Sequence, residues 1–187
     1  MSDFLIQFSS YISNIFSPWI LILLNIFLLL LSIPYLDFKK ISYKEIVSVN
    51  CPNYIKGLIM ILISLLLSGT ISQIIKNIYK VNRPEYMLVI ETGYSFISGH
   101  TAVAFAMSFM CLFLLFKYFK DHRYYINILH SVFFISLALL ISFSRIMLNV
   151  HRYIDVIGGF VIGLLSAYLS IKIYYSIIRY VDKKIYK

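Results

Sequence analysis

Lys76, Arg83 and Arg145 are three cations in a chain with few charges, and each stands at the edge of an apolar run. Gathered at one place, they suit a tetrahedral dianion whose charge spreads over several oxygens. His151 and Asp155 are four residues apart, so on a helix they share a face. A carboxylate bonded to one imidazole nitrogen fixes the tautomer and leaves the other nitrogen free to attack. Ser98, Gly99 and His100 open another apolar run. Ser98 is the expected N-cap there, which leaves the backbone N–H groups of Gly99 and His100 pointing outward. A helix N-terminus with a glycine permitting close approach is a ready anion site. His100 could then protonate a departing oxygen as general acid.

Taken singly, each of these residues has a plainer reading. Lys76 reads as a lysine snorkelling at a helix end, His100 as an interfacial histidine, and His151 with Asp155 as a structural hydrogen bond. Arg145 resists that treatment, because an arginine beside an apolar run is costly unless it has a task. His122 and His130 join no such pattern: one lies in a basic loop, the other early in an apolar run. Joint spacing decides the matter. A histidine six residues and an aspartate ten residues after any arginine arise by chance in roughly one chain in 350 of this composition. Lys76, Arg83-Pro84 and Ser98-Gly99-His100 upstream make coincidence untenable.

The elements that must position these residues are membrane helices. Of 187 residues, 60% are hydrophobic and only 13% charged, with a mean hydropathy of +0.84. A soluble domain carries roughly a quarter charged residues, and a core this small cannot bury the excess apolar surface. Five apolar runs approach the roughly 20 residues needed to cross a bilayer: residues 19–35, 54–75, 101–119, 126–146 and 156–178. Before them, Phe4, Leu5, Phe8, Ile12 and Phe16 recur at helical spacing among serines, which predicts an amphipathic helix in the interface. The expected fold is therefore all-α: one domain, residues 1–187, forming a polytopic membrane bundle of about five transmembrane helices and an N-terminal interfacial helix. No basic residue precedes the first apolar stretch, so no cleavable signal peptide is expected and the first span serves for insertion. Gly159 and Gly163 form a small-xxx-small pair suited to close helix packing.

Charge sets the expected orientation. One face receives Lys39, Lys40, Lys44, Lys56, Lys117, Lys120, Arg123, Lys172, Arg179, Lys183, Lys184 and Lys187; the other receives Lys76, Lys80, Arg83, Arg145 and Arg152. The positive-inside bias puts the first face in the cytoplasm, with the C-terminus, and the polar segments on the extracytoplasmic side of the cell membrane. The net charge of +9 thus reads as topology and anionic-lipid contact, with no nucleic-acid partner. Cys51 and Cys111 fall at the start of one span and in the middle of another, where they neither pair nor mark a metal site. Many of the sixteen tyrosines cluster near span ends, as in an interfacial aromatic belt.

The three polar segments resemble the signature of the type 2 phosphatidic acid phosphatase family, whose fold is shared with vanadium haloperoxidases. That signature runs Lys-x6-Arg-Pro, then Pro-Ser-Gly-His, then Ser-Arg-x5-His-x3-Asp. Here Lys76 to Arg83-Pro84 matches the first completely, and Ser144-Arg145, His151 and Asp155 match the third. The second reads Ile97-Ser98-Gly99-His100, with isoleucine in place of proline. The resemblance covers residues 76–163. It implies that His151 is the nucleophile forming a phosphohistidine, that Asp155 orients it, and that His100 is the general acid. Lys76, Arg83, Ser98, Gly99 and Arg145 would hold the phosphoryl oxygens, with no metal and no cofactor. Ile97 lacks proline's locked φ, so a less preorganised turn and a reduced rate are expected.

The expected reaction is phosphoryl transfer in two steps from a lipid phosphate monoester or diphosphate, catalysed chiefly by positioning and charge stabilisation. Undecaprenyl diphosphate is the first expectation for a bacterial source, with lipid A phosphates, phosphatidylglycerol phosphate and phosphatidic acid open. Residues 85–94, with Met87, Leu88, Val89 and Ile90, are placed to cover the site. The rival reading is a catalytically inactive family member acting as an anionic-lipid-binding or transport-associated membrane protein, and these residues do not fix an oligomeric state.

Overall fold

Long apolar stretches fold as helices in a bilayer because only intra-segment hydrogen bonds can satisfy their backbone there. The computed structural model describes residues 3–32, 53–118 and 124–185, and it contains six helices among them: α1 (Asp3–Ile15), α2 (Pro18–Ser32), α3 (Asn53–Tyr79), α4 (Gly99–Tyr118), α5 (Tyr124–Met147) and α6 (Tyr153–Ile185). Helices α3 to α6 cover the four later expected spans, apart from residue 119 outside the described residues, and each is long and apolar enough to cross a membrane. The protein is a multi-pass helical membrane protein. Cys51, His122, Lys39, Lys40, Lys44, Lys120, Arg123 and Lys187 lie outside the described residues.

Helix α4 sits at the centre, packed on α3, α5 and α6; α3 also meets α6, α2 leans on α3, and α1 leans on α5. Small residues make this possible. A Cβ added at Gly159 would lie 2.7 Å from the Ser98 carbonyl oxygen, and one at Gly163 would lie 2.7 Å from that of Ala102. Both glycines therefore let α6 press directly on the α4 backbone, as their spacing predicted. The buried face of α3 carries Ser64, Ser68 and Ser72. Their hydroxyls donate to carbonyls, that of Ser64 reaching across to Ala106 on α4 at 3.4 Å. Away from the site, Met60, Met110, Leu114, Ala167, Tyr174 and Ile178 form an apolar cluster. Leu23, Phe133, Leu139, Phe143 and Leu164 are exposed on the outside, where lipid is their solvent.

The N-terminal helix departs from a simple interfacial one. Its polar residues Ser9 and Ser13 are buried, whereas Phe4, Leu5, Phe8 and Ile15 are exposed. The serine stripe thus faces the protein, and the apolar stripe faces outward. Ile12 and Phe16 pack beside Ala104, Phe105, Ala138 and Ile141. Asp3–Ile15 and Pro18–Leu28 meet at a bend of 41° and together have the length and apolarity of one broken span.

Candidate active site

The termini of four helices meet at one end of the bundle: Lys76 in the last turn of α3, Gly99 at the start of α4, Arg145 in the last turn of α5, and Asp155 in the first turn of α6. Their dipoles agree with the charges, basic at the two C-terminal ends and acidic at the N-terminal end. The chain turns from α5 to α6 through Asn149, at φ 52°, a left-handed conformation that asparagine tolerates better than most residues. This turn brings His151 back beneath the end of α5, where it is almost fully buried.

His151 and Asp155 meet as their spacing predicts. The Nδ1 of His151 is 3.3 Å from Asp155 Oδ2, and the same carboxylate oxygen accepts a bond from the Arg152 N–H at 2.9 Å and one from the Ser95 hydroxyl. The Arg152 contact is a helix-start reciprocal bond of the capping-box kind. It pins the carboxylate before any imidazole is considered. With Nδ1 engaged, Nε2 points the other way, 3.5 Å from Arg83 Nη1. Burial pushes the His151 pKa down to about 4; the Asp155 hydrogen bond opposes this, and the charges of Arg145, Lys76 and Arg83 add to the depression. At neutral pH the imidazole is uncharged, and its Nε2 lone pair is available for attack.

Arg83 stands beside that nitrogen, and Lys76 and Arg145 line the same cavity. Arg83 is held at several points, donating to the carbonyls of Gly93, Val150 and Thr92 at 3.1 Å each. Burial lowers its pKa, with Glu91 opposing and Arg145 assisting. Lys76 Nζ donates to the Tyr94 carbonyl at 3.0 Å. Arg145, with a side chain 1% exposed, donates to Ser13 of α1 and to Glu91. Its Nε is buried without a partner among the described residues, which leaves one donor of the fork unspent.

Ser98 takes a different place from the other expected phosphate-binding residues. It is the N-cap of α4: its hydroxyl accepts from Thr101 Oγ1 at 3.0 Å and lies 3.5 Å from the Thr101 N–H. Its own N–H donates to the Asp155 carbonyl at 3.0 Å. Ser98 therefore couples α4 to α6, while the amides of Gly99 and His100, which have no intrahelical acceptor at a helix start, border the site. Ile97 stands where the signature has proline. It is 1% exposed, and a Cβ added at Gly158 would lie 2.5 Å from its Cγ2. Its side chain is thus packed against α6.

These groups line a cavity of about 680 Å³. One wall is polar, with Lys76, Arg83, Glu91, Gly99, His100, Arg145 and His151; the other runs along α2 and α3 through Trp19, Ile22, Leu66 and Gly69. The arrangement can hold a tetrahedral anion against Nε2 of His151 while an apolar group extends between α2 and α3. Among the described residues no three His, Cys, Asp or Glu side chains gather as a metal site.

Three contributors were not legible beforehand. Ser95 lies in the Ser98 segment, yet no spacing rule marked it. Glu91 belongs to the loop expected to cover the site, and there Glu91 and Thr92, not Met87 to Ile90, line the cavity. An acid between three cations was the signal that could have found it. Ser13 is 132 positions from Arg145, and only the serine stripe of α1 hinted at a polar neighbour.

Fold and site together define a multi-pass helical membrane protein with a cation-lined cavity around a histidine–aspartate pair. Residues 57–179 match the PAP2 superfamily, and the chain belongs to it. Phosphatidylglycerophosphatase B of Bacillus subtilis (strain 168) is 33% identical over 120 residues, which are 58% of this chain and 55% of that protein. The matched region thus spans about half the length of that relative. The crystal structure of a transmembrane PAP2 type phosphatidylglycerolphosphate phosphatase from Bacillus subtilis shares the fold, with a TM-score of 0.69 at 22% identity, over 94% of this chain and 79% of that one.

Proposed function

We propose that this chain is an integral membrane lipid phosphatase that removes a phosphoryl group from a lipid headgroup through a phosphohistidine on His151. The observation that carries this reading is the two-walled cavity, with the cations and His151 on one wall and the apolar Trp19, Ile22 and Leu66, beside the polar Thr70 and Gln73, on the other. A soluble phosphate ester needs only the first wall; a lipid phosphate needs both.

In the first step Nε2 of His151 attacks phosphorus in line, the bond from phosphorus to the lipid oxygen breaks, and His100 gives that oxygen a proton. In the second step water attacks phosphorus, His100 takes the water proton, and the phosphorus–nitrogen bond breaks to release inorganic phosphate. Asp155 holds the Nδ1–H tautomer throughout. Lys76, Arg83, Arg145 and the Gly99 and His100 amides neutralise the equatorial oxygens, where charge develops. Ser98 acts by capping α4 and so aiming those amides. Because protein cations supply this neutralisation, the reaction is read as metal-independent.

The phosphatidylglycerol phosphate phosphatase activity of the Bacillus relatives moves that lipid ahead of undecaprenyl diphosphate as the first substrate to try. The lysine bias of the opposite face supports a site on the extracytoplasmic side. The test is phosphate release by detergent-purified protein from a panel of lipid mono- and diphosphates, with chelator present, for wild type and His151→Ala. Release by wild type that vanishes in the variant supports the reading. Folded wild type that binds lipid phosphate and never releases phosphate would mark an anion-binding protein instead.

A further inference from the structure

Glu91 bridges two of the cations expected to hold phosphoryl oxygens. One carboxylate oxygen pairs with Arg145 Nη2, and the other lies 3.5 Å from Arg83 Nη2. The two oxygens thus take one arginine each, in the manner of two phosphoryl oxygens. Glu91 lines the same cavity as His100 and His151. Its own pKa is held below the usual carboxylate range: burial would raise it, and the hydrogen bond and charge of Arg145 with the charge of Arg83 overrule that. The carboxylate is ionised and a true competitor of an incoming anion.

The arginines stay in place if Glu91 leaves. Arg83 keeps its bonds to the Gly93, Val150 and Thr92 carbonyls, and Arg145 keeps Ser13. Glu91 is the loose member, 28% exposed where its partners are 7% and 1% exposed. Without an anion the buried guanidinium of Arg145 would be uncompensated, a costly state; Glu91 relieves it until substrate arrives.

We propose that Glu91 is a specificity-determining residue: a tethered competitor that fills the anion seat, yields it to a doubly charged phosphoryl group and reclaims it as phosphate departs. A side chain fixed beside its partners acts at an effective concentration on the order of millimolar or above. A singly charged phosphodiester headgroup, the common kind in a membrane, therefore meets an occupied seat. This inference rests on the lipid phosphatase reading for its substrate, although the exchange itself concerns any phosphate.

The experiment measures inorganic phosphate binding by calorimetry to purified wild type and Glu91→Gln, alongside kcat and KM on a lipid phosphomonoester. Removing one competing charge a few Å from the ligand should tighten phosphate binding by at least about tenfold and lower KM in parallel. Unchanged or weaker phosphate binding by the folded variant overturns the proposal, and weaker binding with a raised KM would make Glu91 a mere prop for the arginines. If Glu91→Gln does not fold, Glu91→Asp carries the test: its carboxylate, one methylene shorter, cannot span both arginines, so phosphate must again bind more tightly than in wild type. Binding is read without turnover, so a wild type that hydrolyses no lipid would sink the phosphatase reading and leave the test of Glu91 standing.

Discussion

Nδ1 of His151 lies 3.3 Å from Oδ2 of Asp155. The carboxylate is already fixed by the Arg152 N–H and Ser95, so the imidazole adopts the tautomer that Asp155 dictates. Asp155→Asn preserves the shape and removes that instruction. By analogy with acyl-transfer triads, kcat should fall about 10³–10⁴-fold, with KM little changed. Steady-state kinetics check this, and a loss below tenfold would contradict the orienting role.

Protonation of His151 offers an independent test. An unfolded histidine takes up its proton near pH 6.5, whereas burial and the three cations hold His151 near 4 in the fold, against the pull of Asp155. Between those pH values the unfolded chain binds the extra proton, so this residue makes stability rise with pH across that window. An NMR titration of the labelled imidazole in micelles should give a midpoint near 4, moved upward in Arg83→Gln. A midpoint at or above 6.5 in wild type would contradict the site's electrostatics.

Two serines in one segment should behave differently. Ser95→Ala removes a hydrogen bond to the Asp155 carboxylate, of a kind worth roughly 1.5–3 kcal/mol, and kcat should fall about tenfold or more along with the melting temperature. Ser98→Ala removes an N-cap, which costs about 1 kcal/mol of stability. Its expected signature is a lower melting temperature with a smaller effect on kcat. Parallel kinetic and melting measurements separate the two, and reversed signatures would exchange their roles.

Close packing of α6 on α4 predicts a third kind of failure. Gly159→Ala would place its methyl 2.7 Å from the Ser98 carbonyl oxygen, a strain of about 1–3 kcal/mol applied next to the Gly99 amide. Stability and activity should drop together. Gly69→Ala is the control, since nothing lies within 4 Å of its added Cβ, and its melting temperature should be unchanged or slightly higher. Equal melting of Gly159→Ala and wild type would contradict the packing account.

What the sequence disclosed follows from what is periodic in it. The four spans from residue 54 onward declared themselves by apolar length, and His151 with Asp155 by a one-turn spacing that the fold keeps. The glycine pair announced close helix packing for the same reason, though not that α4 is the partner. Contacts between distant elements carry no such period. Ser13 reaches Arg145 only because α1 lies against α5 with its serine stripe inward. Glu91 enters the cage through the path of a loop, and Ser95 reaches Asp155 through the turn before α4. Ile97 is a related case: absence of proline is visible in the chain, whereas burial against Gly158 is visible only in the packed structure.

The most direct measurement of the central claim is trapping of the phosphoenzyme. Protein quenched during turnover of a lipid substrate labelled in its phosphate should carry an acid-labile, base-stable label on His151, increased when hydrolysis of the intermediate is slowed and absent from His151→Ala. Turnover at the wild-type rate by His151→Ala, or label recovered on a different residue, would contradict the account.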